Sequence, residues 1–127
     1  MKMNRLDHFV LTVRDIGASI AFYEALGMTA VTFGNDRKAL TFGCQKINLH
    51  EASAPITPHA KTPTPGSADF CLIAEGPVDA IIAHLKQAGI AVEEGPVART
   101  GALEPITSVY CRDPDDNLVE IACYGQN

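Results

Sequence analysis

An internal repeat is the feature that most constrains this chain. Asp7-His8-Phe9-Val10-Leu11 lines up with Ala68-Asp69-Phe70-Cys71-Leu72, and Ala25-Leu26-Gly27-Met28 with Gln87-Ala88-Gly89-Ile90. Around both pairs the same order of elements can be read: a strand, a helix, then three strands. One short segment can match by chance, but a whole order repeated along 127 residues points to two copies of one βαβββ unit. The expected architecture is α+β, a curled mixed sheet with a central cavity. It would form one domain from modules of about residues 1–52 and 67–127.

Local patterns support each element. Leu6 to Val13 alternates, with Phe9, Leu11 and Val13 on one face and His8, Val10 and Thr12 on the other. Asp15 can cap a helix that carries Ile16, Ile20 and Tyr23 on one stripe and stops at Gly27. Strands follow at about 29–33, 38–42 and 46–51, punctuated by Asn35-Asp36 and Gly43-Cys44. Residues 52–68 hold four of the eight prolines and read as an extended linker. Beyond it come a strand at Asp69 to Ile73 and a helix opened by Pro77 at its first position. Val78, Ile81, Ile82 and Leu85 fall at i, i+3, i+4 and i+7, and Gly89 ends the helix. A strand from Ala91 to Val97 and a hairpin, Ser108 to Arg112 with Leu118 to Tyr124, complete the second copy.

Composition narrows the partners. A net charge of −5 disfavours nucleic acid and anionic membranes. No apolar run approaches membrane-spanning length and the first residues lack a signal-peptide core, so a cytoplasmic location is expected. The four cysteines contain no CxxC pair, and three lie inside strands as small core residues, which argues against a zinc site built on them.

The polar residues of the strands carry the chemistry. Val119, Ile121 and Cys123 share one face of the last strand, so Glu120 points to the other, beside Ala122. Such a carboxylate either faces water or meets a cation, because burying it alone is costly. Under the repeat, Leu118-Val-Glu-Ile lies on Lys46-Ile-Asn-Leu, which makes Asn48 the counterpart of Glu120 and puts His50 two residues further along the same face. His8 has Asp69 as its counterpart. In a duplicated sheet these positions converge, and imidazole with carboxylate suits zinc, nickel, manganese or iron(II). Asp69 could equally close a loop, and His50 could be the wet end of a strand. Tyr110 and Arg112 share the same polar face, with Lys46 nearby; Tyr110 can donate to a substrate oxygen, while Lys46 or Arg112 can hold an anion. Arg99 is placed in a Gly-containing loop over that face, and His59 and His84 are expected to face solvent. Asp113, Asp115 and Asn117 match the start of a calcium loop, but Leu118 and Tyr124 occupy its Gly and Glu positions.

Asp7-His8 before an apolar strand, Phe22-Tyr23-Glu24-Ala25-Leu26-Gly27 closing a helix, and Asp113-Pro-Asp-Asp-Asn-Leu-Val-Glu-Ile121 together resemble the vicinal oxygen chelate superfamily. That group includes glyoxalase I, fosfomycin-resistance proteins, bleomycin-resistance proteins and extradiol dioxygenases. Gln45-Lys-Ile-Asn-Leu-His-Glu51 and Pro63-Thr-Pro-Gly-Ser-Ala-Asp69 further resemble an uncharacterised glyoxalase-domain branch of it. The resemblance implies a divalent metal that chelates two oxygens of a small substrate. It implies a homodimer as well, with ligands drawn from one chain or from two. His8 and Glu120 match its first and last ligand positions; Asp69 stands where the group has His or Gln, and Asn48 where it often has Glu or His, unless His50 substitutes. Asp116 stands where it usually has Gly.

The implied activity is that of a metal-dependent lyase or isomerase, with a Lewis-acid metal and Glu120 as ligand and base. The reduced ligand set, His8, His50 and Glu120, leaves a metal-free binding protein of bleomycin-resistance type as the alternative. A fosfomycin-type thiol transferase is a third reading.

Overall fold

The computed structural model describes residues 1–125. The chain divides into two compact units, Met1–Ser67 and Ala68–Asn127. In the first, β1 (His8–Val13), α1 (Ile16–Ala25), β2 (Thr29–Phe33), β3 (Arg37–Phe42) and β4 (Gln45–Glu51) form a four-stranded sheet ordered β1-β4-β3-β2 with one helix. In the second, β5 (Asp69–Ile73), α2 (Val78–Gln87), β6 (Glu94–Thr100), β7 (Pro105–Arg112) and β8 (Leu118–Tyr124) form a sheet ordered β5-β8-β7-β6. Each sheet is mixed, because the first and last strands of a unit pair parallel and the rest antiparallel. This is the α+β arrangement of two βαβββ modules that the repeat predicts.

The repeat holds at the level of single rungs. His8 pairs with Lys46 and Val10 with Asn48 in the first unit; Asp69 pairs with Leu118 and Cys71 with Glu120 in the second. Asn48 and Glu120 are therefore equivalent positions.

Each unit buries one face of its sheet against its helix. In the first, Leu11, Val13, Leu40, Ile47 and Leu49 are buried with Tyr23 of α1. Asp15 caps α1 by accepting the Ala18 N–H at 3.0 Å, and the chain leaves through Gly27 at φ 108°. The buried stripe is Ser19 and Tyr23, at i and i+4; Ile16 and Ile20 are only half-buried, so the apolar stripe read from the sequence is rotated. In the second unit Val109, Cys111, Val119, Ile121 and Cys123 are buried with Val78, Ile81 and Leu85 of α2.

Several boundaries differ from the sequence expectation; β7, for one, starts at Pro105 rather than Ser108. Pro77 is the N-cap of α2, in extended conformation, rather than its first helical residue. The strand placed at 91–97 runs instead from Glu94 to Thr100. It lies at a sheet edge, where Pro96 leaves no ladder bond unmade, and its register shifts between Glu94 and Val97. Gly95 sits at that shift with φ 111°; a Cβ there would lie 2.5 Å from the Ser108 carbonyl oxygen. Only glycine allows so close an approach.

The turn before β8 is a hydrogen-bonded unit. Asp113 Oδ1 accepts the N–H groups of Asp115 and Asn117 at 2.9 and 3.0 Å, and Asp113 Oδ2 accepts from Asn117 Nδ2 at 2.8 Å. Asp116 takes the left-handed conformation, at φ 67°, that glycine would adopt more cheaply. These bonds use the Asp113 carboxylate internally and fix where β8 begins, two residues before Glu120.

Candidate functional site

In the second unit, Cys71, Glu120, Tyr110 and Glu94 form one rung across all four strands. Glu120 is half-buried, and Ser108 Oγ donates to its Oε2 at 2.6 Å. No cation pairs with this carboxylate among the described residues. The Cys71 thiol faces it: burial, the negative charge of Glu120 and a hydrogen bond to it push the thiol up to about 11. Cys71 is therefore protonated at neutral pH and serves as a donor, not as a thiolate.

Beside Glu120, Tyr110 Oη accepts from Arg99 Nε at 3.0 Å, and Arg99 also meets Glu94 at 3.1 Å. The hydrogen bond to Tyr110 is the main reason that Arg99 holds its proton more tightly than usual. Arg99 thus lies in β6, facing this rung, rather than in a covering loop as the sequence suggested; the later start of the strand moved it. Arg112 is occupied elsewhere, donating twice to Glu93 at 2.9 and 3.0 Å and once to the Asp116 carbonyl at 3.2 Å. Asp69 is exposed, one rung along from Glu120 on the same face.

In the first unit the matching rung is Val10, Asn48, Ala39 and Val31. Asn48 is 6 % exposed and its Oδ1 is buried without a hydrogen bond. A buried carbonyl oxygen left so is unfavourable by about 1–3 kcal/mol unless a donor or cation reaches it. His8 lies one rung along on β1, and its Nδ1 is 2.8 Å from Asp7 Oδ2. That hydrogen bond lowers the Asp7 carboxyl below its usual range. It also assigns the Nδ1 proton and leaves Nε2 as the lone-pair nitrogen, which is how a carboxylate orients a metal-binding imidazole.

His50 is placed differently. It sits four residues beyond Lys46, the partner of His8, on the same face, so the two imidazoles attach about 13 Å apart along the strands. His50 is 4 % exposed, and its Nε2 lies 3.4 Å from Arg37 Nη2. Burial first, then the Arg37 charge, lower its pKa, so the ring is neutral and accepts from the guanidinium. Lys46 Nζ stands 4.0 Å over the Phe33 ring and Arg37 Cζ 4.9 Å over it. Among the described residues no three His, Cys, Asp or Glu side chains gather as a metal requires. The donor types nevertheless suit a divalent ion. An oriented imidazole, an unsatisfied amide oxygen and a carboxylate held by a hydroxyl are all present.

Ser108, Cys71, Asp7, Arg37 and Phe33 were not among the residues singled out from sequence. Ser108 and Cys71 were available from period-two alternation around Tyr110 and Glu120. Arg37 fell outside because β3 begins one residue earlier than its pattern suggests.

With this geometry, comparison with known proteins gives the family. A model of the Glyoxalase/Bleomycin resistance protein/Dioxygenase superfamily matches residues 5–121. The chain belongs to that superfamily. Virulence protein STM3117 of Salmonella typhimurium is 54% identical over 125 residues, covering 98% of this chain and 87% of that protein. Its crystal structure superposes with a TM-score of 0.96, over 98% of this chain and 100% of that one. A glyoxalase domain-containing protein of Mycosarcoma maydis, RDO1, is 48% identical across 98% of this chain and 70% of its own length. More distant structures share the fold. Lactoylglutathione lyase from Agrobacterium tumefaciens has 23% identity and a TM-score of 0.73, covering 98% of this chain and 96% of that one. TnmS3, an antibiotic binding protein from a Streptomyces species, has 22% identity and a TM-score of 0.75, covering 97% and 98%. The proteins that share this fold thus include a lactoylglutathione lyase and an antibiotic binding protein. No helix among the described residues is long and apolar enough to cross a membrane.

Proposed function

We propose that this protein is a divalent-metal-dependent enzyme of glyoxalase-like lyase or isomerase type, acting on a small substrate with two neighbouring oxygens. The observation that carries the reading is Glu120: a half-buried carboxylate without a cationic partner among the described residues, anchored by Ser108 at 2.6 Å and flanked by Tyr110. His8, oriented by Asp7, and Glu120 would hold the ion, with the Asn48 oxygen as a further donor. Either one chain or two paired copies would supply them. When bound, the ion would polarise the substrate oxygens.

The rest falls to the chain itself. Glu120 takes the proton from the hydroxyl-bearing carbon beside a carbonyl and returns it to the carbonyl carbon, while the hydroxyl proton replaces the one that Tyr110 gives to the former carbonyl oxygen; the carbonyl moves by one position without any external oxidant. Ser108 keeps one carboxylate oxygen in place during the transfer. Tyr110 donates its phenolic proton to a substrate oxygen, and Arg99 fixes the phenol from behind. Such positioned proton transfer contributes roughly 10²–10⁴-fold.

The test is solvent deuterium uptake at the carbon beside the carbonyl in a set of α-hydroxycarbonyl compounds. Metal-loaded protein should catalyse it, and Glu120→Gln should lower the rate by about 100-fold or more. Uptake that survives both chelation and Glu120→Gln would refute the proposal.

Asn48, standing where a carboxylate ligand is expected, favours one other reading: a metal-free protein that sequesters a small molecule. That reading predicts ligand binding that is equally tight in chelator-treated protein.

A further inference from the structure

The five cations that lie within strands fall into two groups. Lys38, Arg99 and Arg112 each face a carboxylate, Asp36, Glu94 and Glu93, at 3.2, 3.1 and 2.9 Å. Arg37 and Lys46 do not. Both are half-buried on the polar face of the first sheet, and neither has an ion-pair partner among the described residues. They converge instead on the Phe33 ring, with Lys46 Nζ at 4.0 Å and Arg37 Cζ at 4.9 Å from its centre. The aromatic face compensates them in part, yet two like charges held together out of bulk water still favour an anion.

The surroundings keep this pair from collapsing. Ala39 lies on that face between the rungs of the two cations, and its side chain is only a methyl group. Buried His50 places its Nε2 3.4 Å from Arg37 Nη2 and so orients the guanidinium. The remaining guanidinium N–H groups form a fork suited to two oxygens of one anionic group.

We infer that Arg37 and Lys46, seated on Phe33 and oriented by His50, form the subsite for an anionic oxygen group, a carboxylate or a phosphate, on the substrate. This rests on the proposed function for its link to catalysis and narrows the substrate to an anionic compound. The binding itself does not require a metal. Arg37 and Lys46 are specificity residues and His50 is a positioning residue.

Titration of chelator-treated full-length protein at low salt separates this from the metal proposal. Inorganic phosphate and succinate serve as probes, dimethyl succinate as the neutral control, with calorimetry and the His50 imidazole NMR signals as readouts. One or both anions should bind and shift the His50 signals, and the stronger of them identifies the group. Arg37→Met and Lys46→Met, which keep the apolar stems over Phe33, should each weaken binding by about tenfold or more, and Arg37→Lys by less. His50→Gln, which can still accept from Arg37, should retain most of the calorimetric affinity, while His50→Leu should not. Equal binding of the neutral ester, unchanged affinity in the two methionine variants, or no binding by folded protein would overturn the inference. The probes are titrated without metal, so failure of the metal proposal does not mimic failure here.

Discussion

The side-chain oxygen of Asn117 accepts the main-chain N–H of Ala68 at 2.8 Å, joining residues 49 positions apart. The Ala68 carbonyl in turn accepts the Leu118 N–H at 3.1 Å. Asn117 is 1 % exposed, and its amide also donates to Asp113. One side chain thus fixes the turn and the start of β5 together, and with them the rung that carries Glu120. Asn117→Ala should destabilise the fold by about 1–3 kcal/mol, because it strands buried partners on both sides. Asn117→Asp should be at least as harmful, since it loses the donor and sets two carboxylates against each other. Urea unfolding of the three proteins measures this.

Asp7 provides a subtler handle. Its exposed side chain hydrogen-bonds only to His8, at 2.8 Å, among the described residues, so Asp7→Asn should leave stability unchanged. Metal affinity should nevertheless fall about 10–100-fold, because the imidazole exchanges a charged acceptor for a neutral amide oxygen. Competition against a calibrated chelator gives the number.

Asn48 invites the opposite experiment. Asn48→Glu places a carboxylate at the position equivalent to Glu120. Without metal the variant should lose about 3 kcal/mol, the cost of a buried unpaired charge. With metal it should recover, so the rise in Tm on metal addition should be larger than in the native protein. Asn48→Leu should be neutral or stabilising without metal, since it removes an unsatisfied acceptor.

Stability at alkaline pH should report on Cys111. Its side chain is fully buried, and burial, with the nearby Asp113 charge, pushes the thiol up to about 11. The unfolded thiol titrates near 9.0, so between pH 9 and 11 the unfolded chain releases a proton that the native one keeps. The stabilising contribution is complete below pH 9 and is lost by pH 11, a change of about 2–3 kcal/mol. Cys111→Val should make that limb shallower, leaving the share due to Cys71.

The contrast between what the chain discloses beforehand and what it does not follows from where each signal lies. The βαβββ repeat was readable because hydrophobic alternation, Gly27, Gly89 and the Asp-rich turn mark element boundaries locally. Asn48 was assigned as the counterpart of Glu120 from the repeat alone, and the strand registers agree residue by residue. The misplaced β6 has a physical cause: Gly95 and Pro96 look like a strand end, yet at an edge they make a bulge. The Arg37–Phe33–Lys46 cluster was hidden for another reason. It joins three strands, and no local pattern reports which cations find a carboxylate and which are left with an aromatic ring.

The proposal that His8 and Glu120 serve one divalent ion is tested most directly by metal binding to the purified protein. Calorimetric titration of apo protein with manganese, nickel and zinc should give one site per chain for at least one of them. His8→Ala and Glu120→Ala should each abolish that site while the circular dichroism and Tm of the apo proteins stay unchanged. Full metal affinity in either folded variant would contradict the account.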